Sequence, residues 1–64
     1  MRLDVLVTNH GTLFTFEPRT DDARAWIAEH VGGETTWISG ALVVEHRYAH
    51  DLAEGMRGAG LVLR

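Results

Sequence analysis

Residues 40–60, GALVVEHRYAHDLAEGMRGAG, decide how the chain is read. An apolar run at residues 41–44 stops at a knot of charged and aromatic side chains, Glu45-His46-Arg47-Tyr48. The run ALVV lacks clean alternation, as expected of a strand covered on both faces. Beyond it the period changes. Tyr48, Leu52 and Met56 recur every four residues, flanked by Ala49 and Ala53, which is the stripe of an amphipathic helix. The spacing predicts a helix from about residue 45 or 46 to 57, with Gly58 or Gly60 as its C-terminal cap. The knot therefore falls at a strand-to-helix junction.

Working outward, residues 35–44, TTWISGALVV, favour extended structure, because Thr, Trp, Ile and Val are strand formers. Gly40 is read as a bulge or bend within that strand. Near the start, LDVLVT (3–8) places Leu3, Val5 and Val7 on one face at period two, and TLFTFE (12–17) places Phe14 and Phe16 together. Asn9-His10-Gly11 between them reads as a tight turn, since Asn and Gly tolerate positive φ, and the two strands should be antiparallel. Pro18 ends the second strand because it cannot donate to a ladder. Thr20 is a good N-cap, and Asp21 and Asp22 put negative charge on a first helical turn. Ala23, Trp26, Ile27, His30 and Val31 then recur at spacings of three and four. A helix over 21–31 is predicted, with Trp26 in the core and Gly32-Gly33 as its stop.

Residues 61–63, LVL, supply a short last strand. The order β-β-α-β-α-β predicts a small α+β domain spanning residues 1–64, with a four-stranded sheet and both helices on one face. If the last two strands are parallel neighbours, their crossover should be right-handed. Leu6 and Leu13 fall on the other sheet face, and a homodimer or a partner protein is expected to cover it.

Composition sets the outer limits. A chain of 64 residues has a marginal core, and domains of this size usually add a disulfide, a metal or a partner subunit. There is no cysteine, so disulfides and thiolate metal sites are excluded, and a reducing compartment fits. Hydrophobic residues make up 45%, including Trp26, Trp37, Tyr48, Phe14 and Phe16, so the chain folds rather than staying disordered. Self-association is the support that remains. The formal charge is −3, Lys is absent, and the six Arg scatter from Arg2 to Arg64. Without a clustered positive face, no direct nucleic-acid partner is expected. No segment approaches the roughly 20 apolar residues of a membrane span. The N-terminal stretch MRLDVLVTNHG carries Asp4 and lacks a signal-peptide core, so a cytoplasmic protein without a membrane partner is expected.

Helix amides point outward at a strand-to-helix junction, where α/β proteins often bind ligands. Glu45-His46-Arg47-Tyr48 can thus be read as an anion pocket anchored by Arg47. More simply, Glu45 favours the positive helix end, His46 and Arg47 face solvent, and Tyr48 packs inward. No Gly-rich phosphate loop precedes the helix. His46 and His50 share a helical face at the spacing of an H-E-x-x-H metal site. Arg47 stands where that motif carries its general base, and a third ligand would have to come from Asp51, Glu54, His30 or His10. These two histidines carry an alternative reading as a small-ligand or metal-binding protein, but neither metal nor cofactor is expected. Ser39, the one serine, is not in a G-x-S-x-G elbow, so no catalytic residue is assigned and no enzyme is expected. Trp, Tyr and Arg dominate binding hot spots. Trp37, Glu45, His46, Arg47 and Tyr48 are accordingly the candidate docking residues for a protein partner.

Three segments carry a resemblance: residues 37–48, WISGALVVEHRY; residues 23–26, ARAW; and residues 55–62, GMRGAGLV. Together they resemble a group of short uncharacterised proteins encoded in bacterial, plasmid and phage-related genomes. The likeness covers roughly residues 12–63 and is most specific at Val44-Glu45-His46-Arg47-Tyr48. It brings no catalytic residue. It implies a small cytoplasmic accessory protein of a mobile element, and by analogy one that inhibits a host defence complex in the manner of anti-CRISPR proteins. A regulatory subunit or toxin-antitoxin component is a further alternative.

Overall fold

A hairpin opens the fold, with β1 (Val5–Asn9) and β2 (Leu13–Pro18) antiparallel and Val7 opposite Phe16. The structure is a computed structural model and describes residues 2–64. The turn sits slightly later than the sequence suggested. His10 N–H donates to the Leu13 carbonyl at 2.8 Å, and Gly11, at φ +90°, takes the position that disfavours any side chain. Asn9 Oδ1 accepts the Gly11 N–H at 2.8 Å. Helix α1 (Asp21–His30) begins as predicted, with Thr20 Oγ1 accepting the Ala23 N–H at 3.2 Å.

One four-stranded sheet and two helices are present, in the expected α+β class, but the strands are divided differently. The single strand expected over 35–44 is two, β3 (Thr36–Ile38) and β4 (Ala41–Glu45). Ser39 and Gly40 lie between them at φ +52° and +80°, the pattern of a two-residue hairpin turn whose twist matches the strands. Gly40 is thus a turn residue and not a bulge. The sheet order is β1-β2-β4-β3, with every neighbour antiparallel. Helix α2 (His46–Gly58) follows β4 without a loop. His46 N–H donates to the Thr12 carbonyl at 3.0 Å, so the β2–β4 ladder runs into the first helical residue.

Of the two candidate caps, Gly60 closes α2. Leu61 N–H reaches the Met56 carbonyl at 3.1 Å and Gly60 N–H the Arg57 carbonyl at 2.9 Å, with Gly60 at φ +89°. Those two bonds are the Schellman pattern, and its usual apolar contact is made by Met56 and Leu61, both buried. The chain then returns beside β1. Leu63 forms one parallel bridge with Val5, and the Asp4 and Val5 N–H groups donate to the Val62 carbonyl at 3.0 and 3.1 Å. The expected last strand is therefore a single bridge, and it neighbours β1 and not the strand before it.

Both helices cover one sheet face. Val5, Phe16 and Leu42 from the sheet meet Ala23 and Ile27 of α1 and Met56 of α2, all buried. Trp26, expected in the core, is half-buried and packs against the core from its margin. Its ring stacks on His30 with centroids 4.4 Å apart, and its outer edge lies against Gly55. On the other sheet face, register places Leu6, Leu13, Ile38 and Val43 among Thr8, Thr15 and Glu17. No described element covers that face, and Ile38 is 60% exposed.

Asp4 fastens the ends of the chain. Its buried carboxylate accepts the Val62 N–H at Oδ2, and the Thr20 hydroxyl and Arg2 Nε–H at Oδ1, each at 2.8 Å. The Val62 amide, then Thr20 and Arg2, hold its pKa below the ordinary carboxylate value, against the opposing effect of burial.

Candidate functional site

The four residues of the knot point in different directions because a helix turns about 100° per residue. Residues 49, 52, 53 and 56 fall at i, i+3, i+4 and i+7 and form the stripe that meets the sheet; Ala49 and Met56 are buried, Leu52 and Ala53 partly so. Tyr48 lies at the margin of that stripe. Expected to pack inward, it is 55% exposed. The Arg47 guanidinium sits over the Tyr48 ring, 4.9 Å from its centroid, and Arg47 Nε is 3.2 Å from Glu45 Oε2. Glu45, Arg47 and Tyr48 thus form one continuous exposed cluster. Glu45 is the N-cap of α2 by position, but its side chain makes no capping hydrogen bond.

The candidate residues are distributed over three grooves. Glu45 and Tyr48 line a groove of about 750 Å³ between α1 and α2, with Trp26, Val31, Leu42 and Leu52 among its apolar walls. Trp37 lines another, of about 580 Å³, on the opposite flank of α1 beside Ile27 and Ala28. Val31 and Thr35 border both. Trp37 is 44% exposed, and its Nε1–H donates to Thr35 Oγ1 at 3.2 Å. His46 faces the far side of α2, in a groove of about 300 Å³ with Val7, Phe14, His50 and Arg57. The structure therefore brings Glu45, Arg47 and Tyr48 together, sets Trp37 in the adjoining groove, and separates His46 from both.

His46 and His50 do share a groove. His50 pairs loosely with Glu54, with Nε2 and Oε1 3.9 Å apart. Asp51, another possible third ligand, lines the Tyr48 groove instead. Among the described residues, no three His, Cys, Asp or Glu side chains come together to hold a metal ion.

Trp26, His30, Glu34 and Asp51 also line the groove between α1 and α2; the sequence placed Trp26 in the core, offered His30 and Asp51 only as possible metal ligands, and left Glu34 without a role. Trp26 and His30 share the periodicity of a core stripe, which hides their second role. The signal that could have separated them is Gly55, a missing side chain in mid-helix that lets the Trp26 ring rest on α2. Among the described residues, no helix is long and apolar enough to cross a membrane. No family model, curated protein or solved structure matches this chain.

Proposed function

We propose that this chain is a non-enzymatic binding module that docks on a protein partner through Glu45, Arg47 and Tyr48 with Trp37 in the adjoining groove, leaving His46, on the far side of α2, outside the contact. The supporting observation is the exposure of two large aromatic rings, Tyr48 at 55% and Trp37 at 44%, on either side of the α1 C-terminus. A chain this short has few large apolar side chains for its core. Leaving two outside, one of them under an arginine, is characteristic of the residue types that anchor interfaces. Arg47 already stacks on Tyr48, so part of the ordering cost of docking is met in the free protein.

The module acts in the cytoplasm and as a homodimer, its open sheet face joining two copies through Leu6, Leu13, Ile38 and Val43. In the mobile-element setting that the resemblance implies, the partner is a larger host machine, and inhibition of a defence complex is one use of such a surface. Immobilised wild-type protein, Arg47→Ala and Tyr48→Ala, each checked for an intact melt, should be passed over lysate of the organism that carries the gene. A partner held by wild type and lost by both variants supports the docking surface. A partner held equally by all three overturns it.

A further inference from the structure

We propose that the groove between α1 and α2 receives a cationic apolar peptide segment of the partner, one that presents bulky aliphatic side chains flanked by Arg or Lys. This rests on the docking function above and names the chemistry of what docks. Trp26, Val31, Leu42 and Leu52 give the groove an apolar floor, and its volume of about 750 Å³ is of the size that takes several side chains.

Charge selects the occupant. Of the nine Asp and Glu side chains, six have an ion-pair partner: Asp4, Glu17, Asp21, Asp22, Glu45 and Glu54. Glu29, Glu34 and Asp51 are the three with none among the described residues. Two of those three, Glu34 and Asp51, line this one groove. Its third carboxylate, Glu45, is already held by Arg47. No Arg or Lys is among the lining residues, and His30, also on the lining, is engaged with the Trp26 carbonyl through Nδ1–H at 3.0 Å. An apolar floor with two uncompensated carboxylates at its rim is complementary to an apolar segment bearing positive charge and rejects an acidic one.

The test uses a fluorescein-labelled, end-capped peptide of about a dozen residues built from Leu and Arg, and its counterpart with every Arg replaced by Glu, read by anisotropy at about 0.15 M salt. The Leu/Arg peptide should bind saturably and the Leu/Glu peptide should not. The double variant Glu34→Gln, Asp51→Asn should weaken binding about three- to tenfold, as expected for two exposed ion pairs. Glu29→Gln, which removes the third unpaired carboxylate outside the groove, should leave the affinity unchanged. Failure of the Leu/Arg peptide to bind, equal binding of both peptides, or an equal loss with Glu29→Gln overturns the proposal. So does a dimer mass that persists in Ile38→Glu while the Leu/Arg peptide fails to bind, which would place a second copy of the chain in the groove. If partner capture still depends on Arg47 and Tyr48 while the peptide fails, the cationic occupant is wrong and the docking surface stands. If both fail, both are wrong.

Discussion

Gly55→Ala and Gly58→Ala make a matched pair that reads the contact between the two helices. Both glycines lie in α2 with φ outside the left-handed region, so alanine should gain up to about 1 kcal/mol of helix propensity in each case, somewhat less near the frayed end. The surroundings differ. A Cβ at Gly58 meets nothing within 4 Å, whereas at Gly55 it falls 3.3 Å from Trp26 Cζ2 and 3.4 Å from Cη2. Trp26 stacks on His30 with ring centroids 4.4 Å apart, and that contact resists displacement of the ring. Overpacking by one methyl group costs about 1–3 kcal/mol, and a half-buried ring belongs at the low end. Gly58→Ala should thus stabilise by about 0.5 kcal/mol, while Gly55→Ala should come out neutral to destabilising by about 1 kcal/mol. Thermal melts resolve this, since 1 kcal/mol moves Tm by about 4–8 °C in a domain of this size. In a Trp26→Leu background, the penalty at position 55 should vanish and Gly55→Ala should match Gly58→Ala. Equal stabilisation by both substitutions in the wild-type background would refute the Trp26–Gly55 contact.

Acid melts test the Asp4 clasp. Its folded pKa lies below the ordinary 3.8, so its stabilisation is complete above that pH and is lost as pH falls through the lower folded value. Asp4→Asn should be less stable than wild type at pH 7, because its single amide oxygen cannot accept from both the Val62 N–H and the Arg2 Nε–H, and the deficit should narrow toward pH 2; a constant deficit would assign the loss to packing alone. Tyr48→Ala should cost at most about 2 kcal/mol of stability, since more than half of the residue is already wet, and Arg47→Ala should stay within about 0.5 kcal/mol; a larger loss for Arg47→Ala would place it in the fold and not on a docking surface. Light scattering at micromolar concentration should give a dimer mass that Ile38→Glu halves, and a monomer mass for the wild type would remove the open sheet face as an interface.

Much of the fold was legible because local chemistry and burial agree. Thr20 caps α1, the β1–β2 hairpin forms, and both helices start within a residue of expectation. The strand expected over 35–44 failed at Ser39-Gly40, where serine occupies a left-handed position usually given to Asn, Asp or Gly. The β-branched run around it favours extension on both sides of a turn as readily as through it. Tyr48 misled because its spacing with Leu52 and Met56 is genuinely helical. Periodicity places a residue on a stripe but does not say where the stripe ends, and Ala49 takes the inward position. Asp4 carried no signal at all. Arg2 apart, its partners are the distant Thr20 and Val62, and no local pattern in sequence reports a bond to a residue 58 positions away.

The same shortage of core material that leaves Tyr48 outside also shapes the surface beside it. Ala49 and Ala53 on the inward stripe let α2 lie close to the sheet, and Gly55 lets Trp26 come against the helix itself. Small residues at these crossings bring the elements together where large ones would hold them apart. Beside the Trp26–Gly55 contact, Val31, Leu42, Leu52 and Tyr48 border the open groove. A larger residue at position 55 would press on the wall that Trp26 supplies to the groove. Stability and docking are therefore coupled through one ring. Trp26 closes the core on one side and forms a wall of the groove on the other, which is why a tryptophan expected in the interior is found half in water.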